Sequence, residues 1–171
     1  MRAYLRSTFF KKLTQEEVEN LTFGQVISIL RAGRYNPSLF QIVGWIPAGR
    51  LPSVFNLIPD RYLEYLTQEQ VELLSNSQLS RLLKAIKNNE ELFSEMIRWV
   101  LSEQIPFILS SIPSQYLIYL TQEQIEQIPL IQRQEVESER DKTQIRSFKE
   151  EDSQKKDDSM LKYKPEMRLV Q

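Results

Sequence analysis

Read in blocks of eight, the chain keeps an apolar residue at the fifth and eighth places and a Ser, Thr or Pro at the first. Thr14 opens TQEEVENL, Thr22 opens TFGQVISI, Thr67 opens TQEQVELL, Ser75 opens SNSQLSRL and Thr121 opens TQEQIEQI. Pro59 and Pro113 open PDRYLEYL and PSQYLIYL, and a degraded block, PLIQRQEV, starts at Pro129. A Ser or Thr followed three residues later by Glu or Gln has capping-box spacing, and Glu17, Gln25, Gln70, Gln78 and Gln124 all stand there. Glu16, Glu69 and Glu123 fall in the first turn, where the helix dipole favours an acid. Pro59, Pro113 and Pro129 suit a first turn whose backbone donors are unpaired anyway. The pattern therefore announces a helix start about every eight residues. A single continuous helix would turn its apolar stripe by about 80° per octad, too far for one partner face to cover. Short helices re-aimed at each cap are predicted instead, and helices this short must stack on neighbours to persist.

The octads sit inside a longer repeat. IPDRYLEYLTQEQVELL, from Ile58 to Leu74, recurs 54 residues on as IPSQYLIYLTQEQIEQI, from Ile112 to Ile128. The match runs upstream without a gap, placing Trp45 on Trp99 and Leu51-Pro52 on Ile105-Pro106. A partial earlier copy, Leu13 to Leu21, aligns with Leu66 to Leu74 at an offset of 53, and Leu39-Phe40 then meets Leu92-Phe93. Between octad blocks, 3.6-residue periodicity predicts longer helices over Pro37–Ile46, Ser77–Asn88 and Glu90–Ser102, the second with Leu79, Leu82, Leu83 and Ile86 on one face. The expected fold is all-α: short capped helices in tandem repeats of about 54 residues, either α-solenoid-like or a compact helical-repeat domain. Residues 1–132 form that domain, as a partial unit 1–50, a unit 51–104 and an incomplete unit 105–132. From 133 to 171, twenty of thirty-nine residues are charged and evenly split by sign, so a disordered or extended-helical tail is expected there. Its last stretch, MLKYKPEMRLV, regains apolar character and reads as a docking motif or simply as an end.

Composition narrows the chemistry. The chain has no Cys and no His, which removes thiolate nucleophiles, disulfides, the commonest metal ligand and the usual neutral-pH base. Four glycines, none after Gly49, leave no phosphate-cradling loop and few hairpin turns. A net charge of -1 gives no bulk attraction to polyanions, so no nucleic-acid partner is expected. The most apolar stretch, Trp99 to Leu120, is broken by Glu103, Gln104, Pro106 and Pro113 and reads as buried helices. Arg2, Arg6, Lys11 and Lys12 with no acid among the first twelve residues fit a solvated first helix, with a transit or secretion signal as the alternative.

Repetition also explains most residues that would otherwise invite a functional reading. Glu16, Glu69 and Glu123 are helix-start acids in three copies rather than paired catalytic carboxylates. Trp45 and Trp99 occupy matching positions and most simply fill matching holes, with aromatic recognition pockets as the alternative. Tyr62 and Tyr116, fourth in their octads, should point partly inward. Tyr65 and Tyr119 precede the buried Leu and are candidates for an exposed hot-spot pair, or for sealing the rim of the core. Arg31, Arg34 and Arg50 with Tyr35 read as scattered surface arginines, with contact to a phosphate or a carboxylate partner as the alternative.

The octads LTQEQVELL and LTFGQVISIL resemble the Leu-Thr-x-x-Gln-hydrophobic-x-x-Leu repeats of large bacterial secreted or surface-associated proteins and of effector-like proteins of intracellular bacteria. The resemblance covers about a third of the chain and transfers no catalytic residue. It implies a bacterial helical-repeat protein with an interaction role. The expected function is a noncatalytic protein–protein interaction module, an effector or adaptor with another protein as partner and no cofactor or metal, using Tyr65, Tyr119, Trp45 and Trp99. A cytoplasmic location is expected, including a host cytosol. Two alternatives remain open: a peripheral membrane protein using the basic N-terminus and the Trp segments, and a carboxylate-based enzyme.

Overall fold

A computed structural model describes residues 12–142 and 145. The basic N-terminal dozen, apart from Lys12, and the MLKYKPEMRLV stretch lie outside the described residues. Among those described the structure is all-helical, without a strand. Helix α1 (Gln15–Glu19) and α2 (Phe23–Ala32) follow the first two octad starts, and α3 (Leu39–Trp45) precedes the Ile46-Pro47 corner. Then come a short α4 (Leu51–Val54), 3₁₀ turns on either side of it, and a 3₁₀ helix over Asp60–Tyr65. Helices α5 (Gln68–Glu72), α6 (Asn76–Ile86) and α7 (Glu90–Trp99) complete that stretch. The order then repeats: α8 (Ile105–Ile108), a 3₁₀ helix over Ser114–Tyr119, and α9 (Gln122–Glu126), followed by α10 over 130–142.

The predicted starts are where the helices start. Thr14, Thr22, Thr67, Ser75 and Thr121 each accept from the backbone N–H three residues on, and Glu17, Gln25, Gln70, Gln78 and Gln124 each accept from the cap's own N–H. The Pro59 and Pro113 octads behave differently. They wind as 3₁₀ rather than α-helix, then pass through an extended Leu66 or Leu120 into the extended Thr67 or Thr121 cap. Two successive extended residues are what re-aims the chain. Leu63, within the 3₁₀ helix, and Leu66, just after it, are both buried in the core. No described residue has a positive φ, so these corners are turned without left-handed backbone, in keeping with the scarcity of glycine.

The core runs the described length, from Val18 and Leu30 through Phe55 and Leu63 to Phe93, Ile108 and Ile125. It reaches Val136, 3% exposed, so the charged segment after residue 132 begins as a helix with one face against the core. Arg133 fixes that start by donating to the carbonyls of Glu126 and Ile128.

Two side chains join successive stretches. Gln70 and Gln124 are each 1% exposed. The Oε1 of Gln70 accepts from Thr67 N–H at 3.0 Å, closing the start of α5, while its Nε2 donates to the carbonyls of Ile46 at 2.7 Å and Val43 at 3.0 Å, at the end of α3. Gln124 repeats this 54 residues later, with Oε1 on Thr121 N–H at 2.9 Å and Nε2 on Ile97 and Val100 at 2.8 and 2.9 Å. Arg50 and Gln104, also 54 apart, donate to the carbonyls of Leu21 and Leu74, the last residues of their octads. The terminal carbonyls of a helix have no partner inside it, and here a later residue supplies one.

The two functions of the buried amide are separable. Gln70→Ala removes a cap and strands buried carbonyls, and should cost about 3 kcal/mol in denaturant unfolding, against about 1 kcal/mol for Gln25→Ala, whose side chain caps an exposed start. Gln70→Glu keeps the cap acceptor but loses both N–H donors, so it should destabilise at least as much as Gln70→Ala.

Candidate functional site

The C-terminal end of α3 forms one wall of an open cleft of about 650 Å³. Trp45 and Pro47 give it an apolar edge, and Glu19 of α1 with Glu69 and Glu72 of α5 give it negative charge. Octad chemistry places these acids: Gln15 donates to Glu19 and Gln68 to Glu72, each across one helical turn on the solvent side of a five-residue helix. Trp45 is half-buried against the core, as is Trp99 at the matching position. The fold does not bring the two tryptophans together; each sits at the end of its own helix, α3 or α7. The Tyr65 backbone packs on α3 at Gly44, its carbonyl oxygen 3.3 Å from where a Cβ there would stand.

The two tyrosine pairs divide. Tyr62 and Tyr116 are buried and anchor the packing, their hydroxyls donating to the carbonyls of Asn36 and Lys87. Tyr65 is 41% exposed, with its ring 4.9 Å from that of Phe40. A hydrogen bond to the neighbouring Glu64 carboxylate, reinforced by its charge, pushes the Tyr65 phenol above its usual value. Tyr119 is half-buried and donates to Glu90 at the start of α7. That bond, with burial and the Glu90 charge, raises its pKa to about 12. The two copies differ here because Tyr65 has no counterpart of Glu90: Pro37 stands at the matching position.

A second cleft, of about 470 Å³, has the opposite charge. Arg31, Arg34 and Arg81 line it with Asp60, over Leu57, Ile58 and Pro59. Arg50, grouped with Arg31 and Arg34 from the sequence, is elsewhere, its guanidinium spent on the carbonyls of Glu19 and Leu21. Sequence reasoning missed Arg81, which lines the cleft, and Arg61, which holds the Arg34 backbone from outside it. Arg61 donates to the Arg34 carbonyl, and Arg81 binds Asp60 and the carbonyls of Phe55 and Ile58. The signal was spacing: Arg34 and Arg61 are 27 residues apart, as are Val43 and Gln70.

Among the described residues no group of three or more His, Cys, Asp or Glu is placed to hold a metal ion, and no helix is long and apolar enough to cross a membrane. Compared with protein-family models, curated proteins and solved structures, the chain matches none.

Tyr119 provides a pH test. Because its folded pKa is raised, the stabilisation it carries is complete below pH 10 and is lost as pH rises from 10 through about 12. Glu90→Gln should move one phenol titration back toward 10 in ultraviolet absorbance and leave the other tyrosines in place. Tyr119→Phe should delete that same titration.

Proposed function

We propose that the chain is a noncatalytic α-solenoid-like repeat protein whose stacked helices present a surface for binding another protein, as an adaptor or effector. The observation that carries this reading is the span of the hydrogen bonds between distant parts of the chain. Among the described residues each of them joins positions 21 to 31 residues apart, and the Gln70 set is reproduced at Gln124. Packing agrees: α1 lies on α3 as α5 lies on α7, and α3 lies on the 3₁₀ helix 60–65 as α7 lies on 114–119. Each stretch thus meets the one before it and the one after it, which is how a one-dimensional array buries a core. Repeats of this kind leave long solvent-facing surfaces, and their usual use is recognition.

The binding surface in this reading includes the Trp45 cleft and exposed Tyr65, an aromatic edge beside acidic side chains, with Trp99 and Tyr119 as the diverged counterpart. Tyrosine and tryptophan supply much of the energy at protein interfaces. The octad resemblance supports a bacterial origin and a cytoplasmic site of action, in the bacterium or in a host.

A photo-crosslinking residue placed at Tyr65 of the full chain, expressed in its own cells, should yield a discrete protein adduct that Trp45→Ala removes without changing the far-ultraviolet circular dichroism. Flotation of the chain with anionic vesicles and no protein adduct would favour the membrane-surface alternative and overturn the proposal. The array itself is checked by hydrogen exchange: Ile125→Ala should lower amide protection in 105–142 and leave α2 protected, whereas uniform loss of protection would indicate one undivided core.

A further inference from the structure

We infer that the arginine cleft beside Pro59 is a second recognition site, which takes an acidic peptide segment carrying an apolar side chain. The inference rests on the protein-binding function proposed above and names the chemistry of a partner.

Charge is the first reason. Among the described residues the only acid lining the cleft, Asp60, is engaged by Arg81 through Nε at 3.0 Å and Nη2 at 2.5 Å. Arg31 and Arg34 have no hydrogen bond or ion pair to their guanidinium groups among the described residues, so two positive charges remain uncompensated in a chain whose net charge is -1. Arg31 is partly explained by its place in the last turn of α2, where a cation suits the dipole. Arg34 follows the helix in a turn and has no such reason.

Order is the second. Arg81 is fixed on three sides, by Asp60, by the Phe55 and Ile58 carbonyls, and by the Phe55 ring 5.2 Å away, so it forms a wall and keeps Asp60 from quenching its neighbours. Arg61 is fixed by the Arg34 carbonyl and the Tyr62 ring at 4.7 Å. Its guanidinium and that of Arg34 stand 6.0 and 5.9 Å from the ring of Tyr35, which is 81% exposed. Tyr35 thus stands between two cations, one of which, Arg34, also lines the cleft over Leu57 and Pro59. Guanidinium forks match carboxylates in bidentate geometry, and exposed Tyr with Arg is the composition of an interface hot spot.

The repeat supplies a comparison within the chain. At matching positions the second copy has Lys84 and Lys87 for Arg31 and Arg34, but Gln115 for Arg61, Ser114 for Asp60 and Glu135 for Arg81. Positive charge is kept while the Arg81 wall and the Arg61 guanidinium are lost, so the built site belongs to the first copy. A nucleic acid fits less well than a peptide. A polyanion meets the whole surface, including exposed Glu16, Glu19 and Glu69, whereas a cleft of this size holds a few side chains.

Fluorescence anisotropy of the full chain with a short fluorescein-labelled peptide of Glu, Asp and Phe tests the assignment, with a Lys and Phe peptide and a labelled oligouridine as comparators. Saturable, salt-sensitive binding of the acidic peptide is expected, weakened at least about tenfold by the double variant Arg31→Glu/Arg34→Glu and little changed by Arg98→Glu at another exposed site. Unchanged affinity in the double variant, no binding of the acidic peptide, or tighter binding of oligouridine would each overturn the inference. A protein adduct from Tyr65 with any of those results would leave the proposed function standing and remove this site alone.

Discussion

Short helices have a structural problem that longer ones dilute: nearly every residue of a five-residue helix belongs to one of its ends. Each end leaves backbone donors or acceptors without partners in the helix, and burying them unpaired is costly. Gln70 and Gln124 answer both ends at once, the amide oxygen closing the start of one helix and the amide nitrogen closing the finish of another. The rest of the architecture depends on that exchange, because it lets a chain of very short helices be buried along one side. It also fixes register, since the nitrogen reaches the carbonyls 24 and 27 residues back in both copies.

Much of the fold was legible in the sequence because capping chemistry is local. Thr14, Thr22, Thr67, Ser75 and Thr121 are recognisable from three-residue spacing, and each caps a helix. The 3₁₀ winding after Pro59 and Pro113 was not legible, as proline at a start favours no particular helix and the extended residues that follow are set by packing. Nor was the burial of Gln70 and Gln124. Yet a hint stood in the choice of amide over acid: Glu17 serves a capping box as well as Gln does, but only an amide can also donate. The arginine cleft escaped for a related reason. Its members come from three stretches of chain, and a linear reading groups Arg50 with Arg31 and Arg34 when tertiary structure places Arg81 there instead.

Where the copies differ, they differ in sets. Asp60 and Arg81 form an ion pair, and their counterparts Ser114 and Glu135 have changed together, losing one acid on one side and gaining one on the other. Glu64, against Ile118, raises the Tyr65 phenol, while Tyr119 turns to Glu90 for its partner. Leu73 is exposed where Gln127 follows in the next copy. The repeated residues account for folding, and these coordinated departures set the surface of the first copy, with cations beside Tyr35, apart from that of the second.

The joints at Gln70, Gln124, Arg50 and Gln104 share a property that bears on how such a chain arises. Each donor addresses main-chain carbonyls, which every amino acid carries, so the receiving residues are free to vary. A duplicated segment therefore arrives with working joints on its first day, and later substitutions at the receiving positions do not undo them. Arg50 and Gln104 show the tolerance extending to the donor itself, one a guanidinium and the other an amide reaching the same kind of oxygen. On the proposed reading of the chain as a tandem array, lengthening by whole units follows from joints of this kind, and drift between units leaves them intact.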